Sequence, residues 1–509
     1  MRMVNTLNAL FGNEQSRYVA LALGTALFLL ATGEKLVDSP AYAASVLVVL
    51  AATVLTVVNF RLALLLFTAF LFAYEEFNLS SREAFVEQNI ENTVLAVRLF
   101  GFALMDVVSV LLLLPVIVRE WRYALEHGHV RIVRADVYLL PLIIVWVFGG
   151  MTGLFSKLSF SAYTWDLRML GHVLVFYFIY SRTFTTRRDY TIALYVGGAV
   201  FLLKQLVFLS RYVTGTGLDM GMYTRVMLGS DLPLVALFLC LSVTVYFLAR
   251  DHEAVVRRAA LMLAAYFTIM LIIGLGKLTY VQTAYCLLLI LILHRRDVEL
   301  RTVVSVLAVA AGAVVLMYYT VLSHDAREMI VYALGRAFNW IDAIMVYGDL
   351  SFGTRLLEII NVWAVLTREQ ACLWGLGWGA PWSEIAIHMP YDGGAFDIEE
   401  QYSGVHVQTH IDAVTFMLKV GIIGMLVIYS SMLAFFVKAV MRYRHIRSPI
   451  ERFTLMGLLL MIIIFVPNYL YFIRLKYLLG FALAGAAIFL DGNDDDRTNT
   501  GISDTDHAQ

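Results

Sequence analysis

Residues 137–155 read VYLLPLIIVWVFGGMTGLF and carry no charge. At about 1.5 Å of rise per residue, a helix of this length crosses the roughly 30 Å hydrocarbon layer of a bilayer. Runs of this kind recur along the chain and constrain its fold more than any other feature. Backbone inside hydrocarbon must satisfy its own polar groups, and for runs of this length only helices do so. About fourteen such segments can be traced, near residues 18–33, 41–58, 61–76, 97–118, 136–155, 165–181, 190–210, 231–249, 259–275, 278–294, 302–322, 411–437, 453–472 and 474–490. Of 509 residues, 60% are hydrophobic and 15% charged, more apolar surface than a soluble fold buries. The expected fold class is an all-α polytopic membrane protein.

The connecting segments fall into two kinds. REWRYALEHGHVRIVR, RTFTTRRD, RDHEAVVRR, HRRDVELR and KAVMRYRHIRSPIER are basic, whereas TGEKLVDSPAY and EEFNLSSREAFVEQNIEN are neutral or acidic. With fourteen spans the basic loops alternate strictly onto one side, which the positive-inside rule places in the cytoplasm together with both termini. The first residues, MRMVNTLNALFGNEQSR, lack a signal-peptide pattern, so insertion through the first span is expected. A net charge of -1 names no partner, and no nucleic-acid partner is expected. Three cysteines, Cys240, Cys286 and Cys372, are too few for a disulfide framework and read as packing residues.

Four regions follow. Residues 1–322 form an N-terminal bundle of about eleven spans, residues 323–410 a large outer loop, and residues 411–490 about three further spans. Residues 491–509 form an acidic tail that reads as disordered. The outer loop holds two amphipathic stretches, REMIVYALGRAFNWIDAIMVYG and TRLLEIINVWAVLTREQA, whose apolar spacing and tryptophans suit helices lying at the membrane interface. WGLGWGAPW and the polar YDGGAFDIEEQYSG follow them.

Ionisable residues within spans are costly and usually functional. Asp106, Arg168, His172 and Lys204 are the clearest, and the topology puts Asp106, Arg168 and Lys204 in the outer halves of their helices. Lys277, Arg474 and Lys476 lie at outer helix ends, and Arg211 and Arg225 flank the outer loop RYVTGTGLDMGMYTR. Cations gathered on the outer side run against the positive-inside rule and suit a polyanionic group such as a lipid pyrophosphate. Snorkelling to the headgroups is the alternative for each residue taken singly.

The segment GVHVQTHIDAVTFMLKVGIIG carries His406 and His410 four residues apart at the mouth of an apolar run. That spacing shares a helix face, as in the zinc motif H-E-x-x-H, but Val407 stands where the glutamate would be. Asp392, Asp397, Glu399 and Glu400 are the nearby acids, and no third ligand stands at a fixed spacing. Interfacial polar histidines are a second reading. A general base beside outer cations is a third.

In order along the chain, these features resemble the bacterial O-antigen ligase and polymerase superfamily. The family pattern is an arginine on a loop helix, a G-x-G-x-G, then H-N-x-x-L with G-x-x-G on the same helix. Here Arg355 lies in GTRLLEIINVWAVL, Gly375, Gly377 and Gly379 form GLGWG, and His410 precedes Gly421 and Gly424. His406 does not align. Upstream, YTRVMLGSDLPLVALFL resembles the family's arginine loop through Arg225, and LIIGLGKLTYVQTAY its S-x-S-R-G segment. In that segment Lys277 stands for the arginine and Gly274 and Gly276 for the serines. Ile411 replaces the polar residue after the histidine, which marks a divergent branch.

The resemblance implies a membrane-embedded, metal-independent and cofactor-free glycosyltransferase of the GT-C-like kind in the bacterial inner membrane. Its donor is a glycan on undecaprenyl pyrophosphate. Its acceptor is another lipid-linked glycan for a polymerase of O-antigen or exopolysaccharide repeats, or a lipid A core sugar for a ligase. By the same implication His410 deprotonates or orients the acceptor, and Arg225, Lys277 and Arg355 hold the pyrophosphate. Arg168, Lys204, Arg211, His406 and Asp412 are accessory, and membrane lipids and chain-length or export proteins are the expected partners. Two alternatives stand beside this. Arg355 pairs with Glu358 on one helix face, and the three glycines form a plain loop turn. A flippase for lipid-linked sugars is the rival of another class; its charges are expected nearer the midplane.

Overall fold

The computed structural model describes residues 40–73, 98–99, 102–131, 136–155, 160–214, 231–249, 253–274, 277–294, 350–388, 405–406, 409–467 and 473–491. The protein is all-α. Among the described residues thirteen helices are present, with two pairs of two-residue strands. In order they are α1 (Pro40–Val58), α2 (Phe60–Ala73), β1 (Arg98–Leu99), β2 (Phe102–Ala103), α3 (Leu104–His127), α4 (Asp136–Phe155), α5 (Phe160–Thr183) and α6 (Arg187–Thr214). Then follow α7 (Leu232–Leu248), α8 (Ala254–Gly274), α9 (Lys277–Leu293), α10 (Leu350–Arg368), β3 (Trp382–Ser383), β4 (Val405–His406), α11 (Asp412–Tyr443), α12 (Pro449–Phe465) and α13 (Ile473–Asp491).

All of these helices except α10 overlie apolar segments traced in the sequence, and α10 overlies the second amphipathic stretch of the long loop at 323–410. By length and apolarity, 4 helices among the described residues can cross a membrane: Asp136–Phe155, Arg187–Val207, Ala254–Leu271 and Asp412–Tyr443. Shorter apolar helices are Val49–Val58, Phe60–Ala73, Leu232–Leu248 and Thr279–Leu293. The expected segments at 18–33 and 302–322, the first amphipathic loop stretch, the acidic run at 391–404 and the tail lie outside the described residues.

Local sequence sets the helix starts. Thr186 and Asp189 form a reciprocal capping box at α6: the Asp189 backbone N–H donates to Thr186 Oγ1 at 3.3 Å, and the Thr186 N–H to Asp189 Oδ2 at 3.2 Å. Ser448, followed by Pro449, caps α12 by accepting from the Glu451 N–H.

The helices assemble around α13, which packs along α5, α12 and α11, while α7 packs on α8, α9 and α12. Phe176 of α5 stacks on Tyr477 of α13 at 4.1 Å between ring centroids. Polar pairs tie helices inside the apolar core, including Thr191 with Thr454 at 2.7 Å and Thr68 with Tyr180 at 2.8 Å. Cys240 and Cys286 are buried, and the three cysteines are free thiols.

Charges sort to two ends. At one end Arg182 reaches Asp136 at 2.8 Å, Arg187 reaches Glu451 at 3.1 Å, Arg61 pairs with Asp189, and His294 meets the Tyr443 hydroxyl at 2.7 Å. All of these except Arg61, at the start of α2, belong to or border the loops that the sequence groups on its basic side. The opposite end holds Asp106, Arg168, Asp231, Arg474 and the loop that carries the histidines.

Candidate functional site

α10 builds the first wall of the site. Its sequence is amphipathic: Leu356, Ile359 and Trp363 are exposed, whereas Glu358, Asn361, Val362, Val365 and Leu366 are buried. The buried apolar residues pack with Trp382, Val414 and Leu418, so α10 lies against β3 and the start of α11. Two polar residues share that buried face. Asn361 Oδ1 accepts from the Ala386 N–H at 2.9 Å and the Ile387 N–H at 3.1 Å, and its Nδ2 donates to Ile387 O at 2.8 Å. One turn earlier, Glu358 is fully buried and turns both carboxylate oxygens to His410.

That contact is bidentate. Glu358 Oε2 accepts from the His410 backbone N–H at 2.9 Å, and Oε1 contacts His410 Nδ1 closely. An ionised carboxylate only accepts, so Nδ1 carries the proton and Nε2 is the basic nitrogen. The His410 side chain is 34% exposed. The arrangement is therefore a partly exposed histidine held in one tautomer by a buried acid. The turn beneath it is also fixed. Thr409 and Thr415 meet through their hydroxyls at 2.9 Å, and Ile411 O accepts from the Val414 and Thr415 N–H groups at 3.0 Å each.

His406 is separate. It lies on β4, antiparallel to β3, with Trp382 opposite it in register. It is fully buried, with its Nε2 2.8 Å from Glu384 Oε1 and its ring 4.4 Å from that of Trp382. The i, i+4 helix face that would pair the two histidines is not formed, because His406 is in a strand and His410 in the turn before α11. Burial of His406 does not fit an interfacial, exposed histidine; it packs the strand pair, and the acids Asp392, Asp397, Glu399 and Glu400 lie outside the described residues. Glu358 and Glu384 are the site residues that sequence reasoning missed. For Glu358 the available signal was a lone carboxylate on the apolar face of an amphipathic helix; Glu384 had none.

The glycine loop enters a break in α11. Gly421 has φ +71°, and the helix is interrupted there. The carbonyls of Leu418 and Lys419, left without helical donors, accept from the N–H groups of Leu376 (2.9 Å) and Gly377 (2.8 Å). On the far side, the N–H groups of Ile422 and Ile423 donate to Cys372 O (2.9 Å) and Leu373 O (3.3 Å). The interrupted backbone is thus satisfied by the loop rather than by the helix itself. Gly375, Gly377 and Gly379 all have positive φ, of +76°, +92° and +88°. A Cβ on Gly377 would lie 2.6 Å from Gly153 Cα, and one on Gly375 2.5 Å from Gly421 N. The glycines thus admit protein backbone, which is more than a plain turn and differs from close approach to a ligand.

Three of the cations that the sequence groups on the outer side, Lys204, Arg474 and Arg168, pair with aspartates. Lys204 reaches Asp231 Oδ2 at 2.7 Å, and Arg474 pairs with the same aspartate. Arg168 reaches Asp106 at 3.0 Å, with His172 3.5 Å from it. Arg474 and Lys476 are buried at the start of α13. Arg355 stands one turn before Glu358, partly buried, and Asp412 is buried in the first turn of α11. Lys277 opens α9 and Arg211 lies near the end of α6, but their side chains, like the whole of Arg225, lie outside the described residues. Comparison with protein-family models and with curated proteins finds no match to this chain.

Proposed function

We propose that this protein is a membrane-embedded glycosyltransferase that moves a glycan from undecaprenyl pyrophosphate to a sugar hydroxyl on the outer face of the bacterial inner membrane. The observation that carries the reading is the His410–Glu358 pair: a histidine, 34% exposed, whose Nδ1 and backbone N–H are held by one buried carboxylate. The chain is read as having about fourteen spans with cytoplasmic termini, which places His410 and the paired cations at the outer end. The motif order that resembles the O-antigen ligase and polymerase superfamily supports the same reading.

In this mechanism His410 Nε2 takes the proton of the acceptor hydroxyl as its oxygen attacks the anomeric carbon. The bond from that carbon to the pyrophosphate oxygen breaks, and undecaprenyl pyrophosphate leaves with the electron pair. Attack opposite the leaving group inverts the centre. Glu358 holds the tautomer and stabilises the imidazolium that forms. Arg225, Lys277 and Arg355 are assigned to the departing phosphate charge, with Arg168, Lys204 and Arg211 accessory to it. No metal or cofactor takes part in these steps. Repeat-unit polymerisation is the preferred reaction, with ligation to lipid A core as its alternative. A flippase has no use for a histidine held in one tautomer at a helix mouth.

The glycan of a deletion strain tests the assignment. Single repeats still attached to their carrier or core mean a polymerase. Loss of all attachment to lipid A means a ligase. An unchanged glycan rejects both.

A further inference from the structure

We propose that Lys419 and Asp166 are positioning residues for His410, acting through the broken segment of α11. Lys419 is the second residue before the break at Gly421 and is fully buried. Its Nζ donates to Asp166 Oδ2 of α5 at 2.6 Å and to Ala380 O of the glycine loop at 2.5 Å. The Gly379 N–H donates to the same Asp166 oxygen at 2.7 Å. One buried carboxylate oxygen therefore joins α5, α11 and the loop, next to the place where the helix has lost its own hydrogen bonds. A continuous helix is stiff by itself; this one is held at its break by the loop and by the ion pair.

The segment 412–420 is the lever. Its far end carries His410 in a turn locked to it by Thr409, Ile411 and Thr415. From Lys419 to His410 the rise is about 13 Å at 1.5 Å per residue. A tilt of roughly five degrees about the Lys419 end moves the histidine by about 1 Å, and misplacement on that scale costs about a hundredfold in a pre-organised reaction. Ala380 also leads through Pro381 to Trp382, whose strand pairs with β4 below the same site. The ion pair thus fixes the site from both chain directions.

The proposal needs the His410–Glu358 pair but not the transfer reaction, so its test reads His410 directly. Purified full-length protein in lipid nanodiscs is treated with diethyl pyrocarbonate, and modification of His410 is followed by mass spectrometry against the exposed His388 of the same molecule. Asp166→Asn and Lys419→Met are compared with wild type and with Glu358→Gln. The double variant Lys419→Met/Asp166→Leu covers misfolding of the single ones, since a buried pair replaced by apolar side chains commonly folds. Positioning predicts that folded single or double variants shift the His410-to-His388 ratio several-fold, in the same direction as Glu358→Gln. A wild-type ratio in the folded double variant, with Glu358→Gln shifted, overturns the positioning role and leaves the pair standing. A wild-type ratio in Glu358→Gln overturns the pair itself, and the positioning role with it.

Discussion

Glu358 binds both the backbone and the ring of His410, so its replacement separates shape from charge. Glu358→Gln keeps the size but loses the ionised acceptor and permits the wrong tautomer; transfer is expected to fall by about a hundredfold or more with little change in donor KM. Steady-state kinetics on equal amounts of folded protein check this. Asp231 gives a second prediction at this scale. It faces both Lys204 and Arg474 while fully buried, so Asp231→Asn leaves two neighbouring cations short of their shared counter-charge. Removing one side of a buried pair costs about 3–5 kcal/mol. A lower melting temperature in detergent is expected, and Lys204→Met in the same chain should restore part of the loss. The sequence singles out His410 through its motif, but not the carboxylate that holds it. Glu358 lies 52 residues upstream of it. In the sequence Glu358 reads as a local partner for Arg355, and only the tertiary fold turns it to the histidine.

The broken α11 and the glycine loop form a single element, and the sequence showed their glycines without their relation. G-x-G-x-G and G-x-x-G read as separate motifs because the spacing within each says nothing of the backbone bonds between them. The structure shows Leu376 and Gly377 supplying the donors that α11 lacks before Gly421. A side chain at Gly421 meets Leu373 O and requires a positive φ, so Gly421→Ala combines a clash with strain. Limited proteolysis should then cut the loop around residues 371–380 where the wild type resists. Gly150→Ala, in α4, without positive φ and with nothing nearer than 3.5 Å to the added carbon, should resist cleavage better. The strand pair that buries His406 was missed for a related reason: two-residue strands leave no periodic signal.

At the scale of the whole molecule, the all-α architecture was legible because long apolar runs leave the backbone no other choice. The helix bounds agree closely at α4 and α13 and less well at α3, which starts at Leu104 after the strand pair β1–β2 and continues through the basic run REWRYALEH past its apolar part. Sorting of the charges to two ends predicts sidedness. Single cysteines placed at exposed Arg447 and His388, in a chain whose own cysteines are replaced, should label from opposite faces of sealed vesicles with an impermeant maleimide. Labelling from the same face would reject the topology. The central claim joins the outer end to one histidine, and transfer by purified protein tests it most directly. A synthetic undecaprenyl-pyrophosphate glycan and its acceptor are supplied with a chelator present, and product is followed for wild type and His410→Ala. Metal-independent transfer by the wild type, reduced about a hundredfold to ten-thousandfold in folded His410→Ala, is the predicted result. Full activity in His410→Ala, or no transfer by the wild type with either acceptor class, contradicts it.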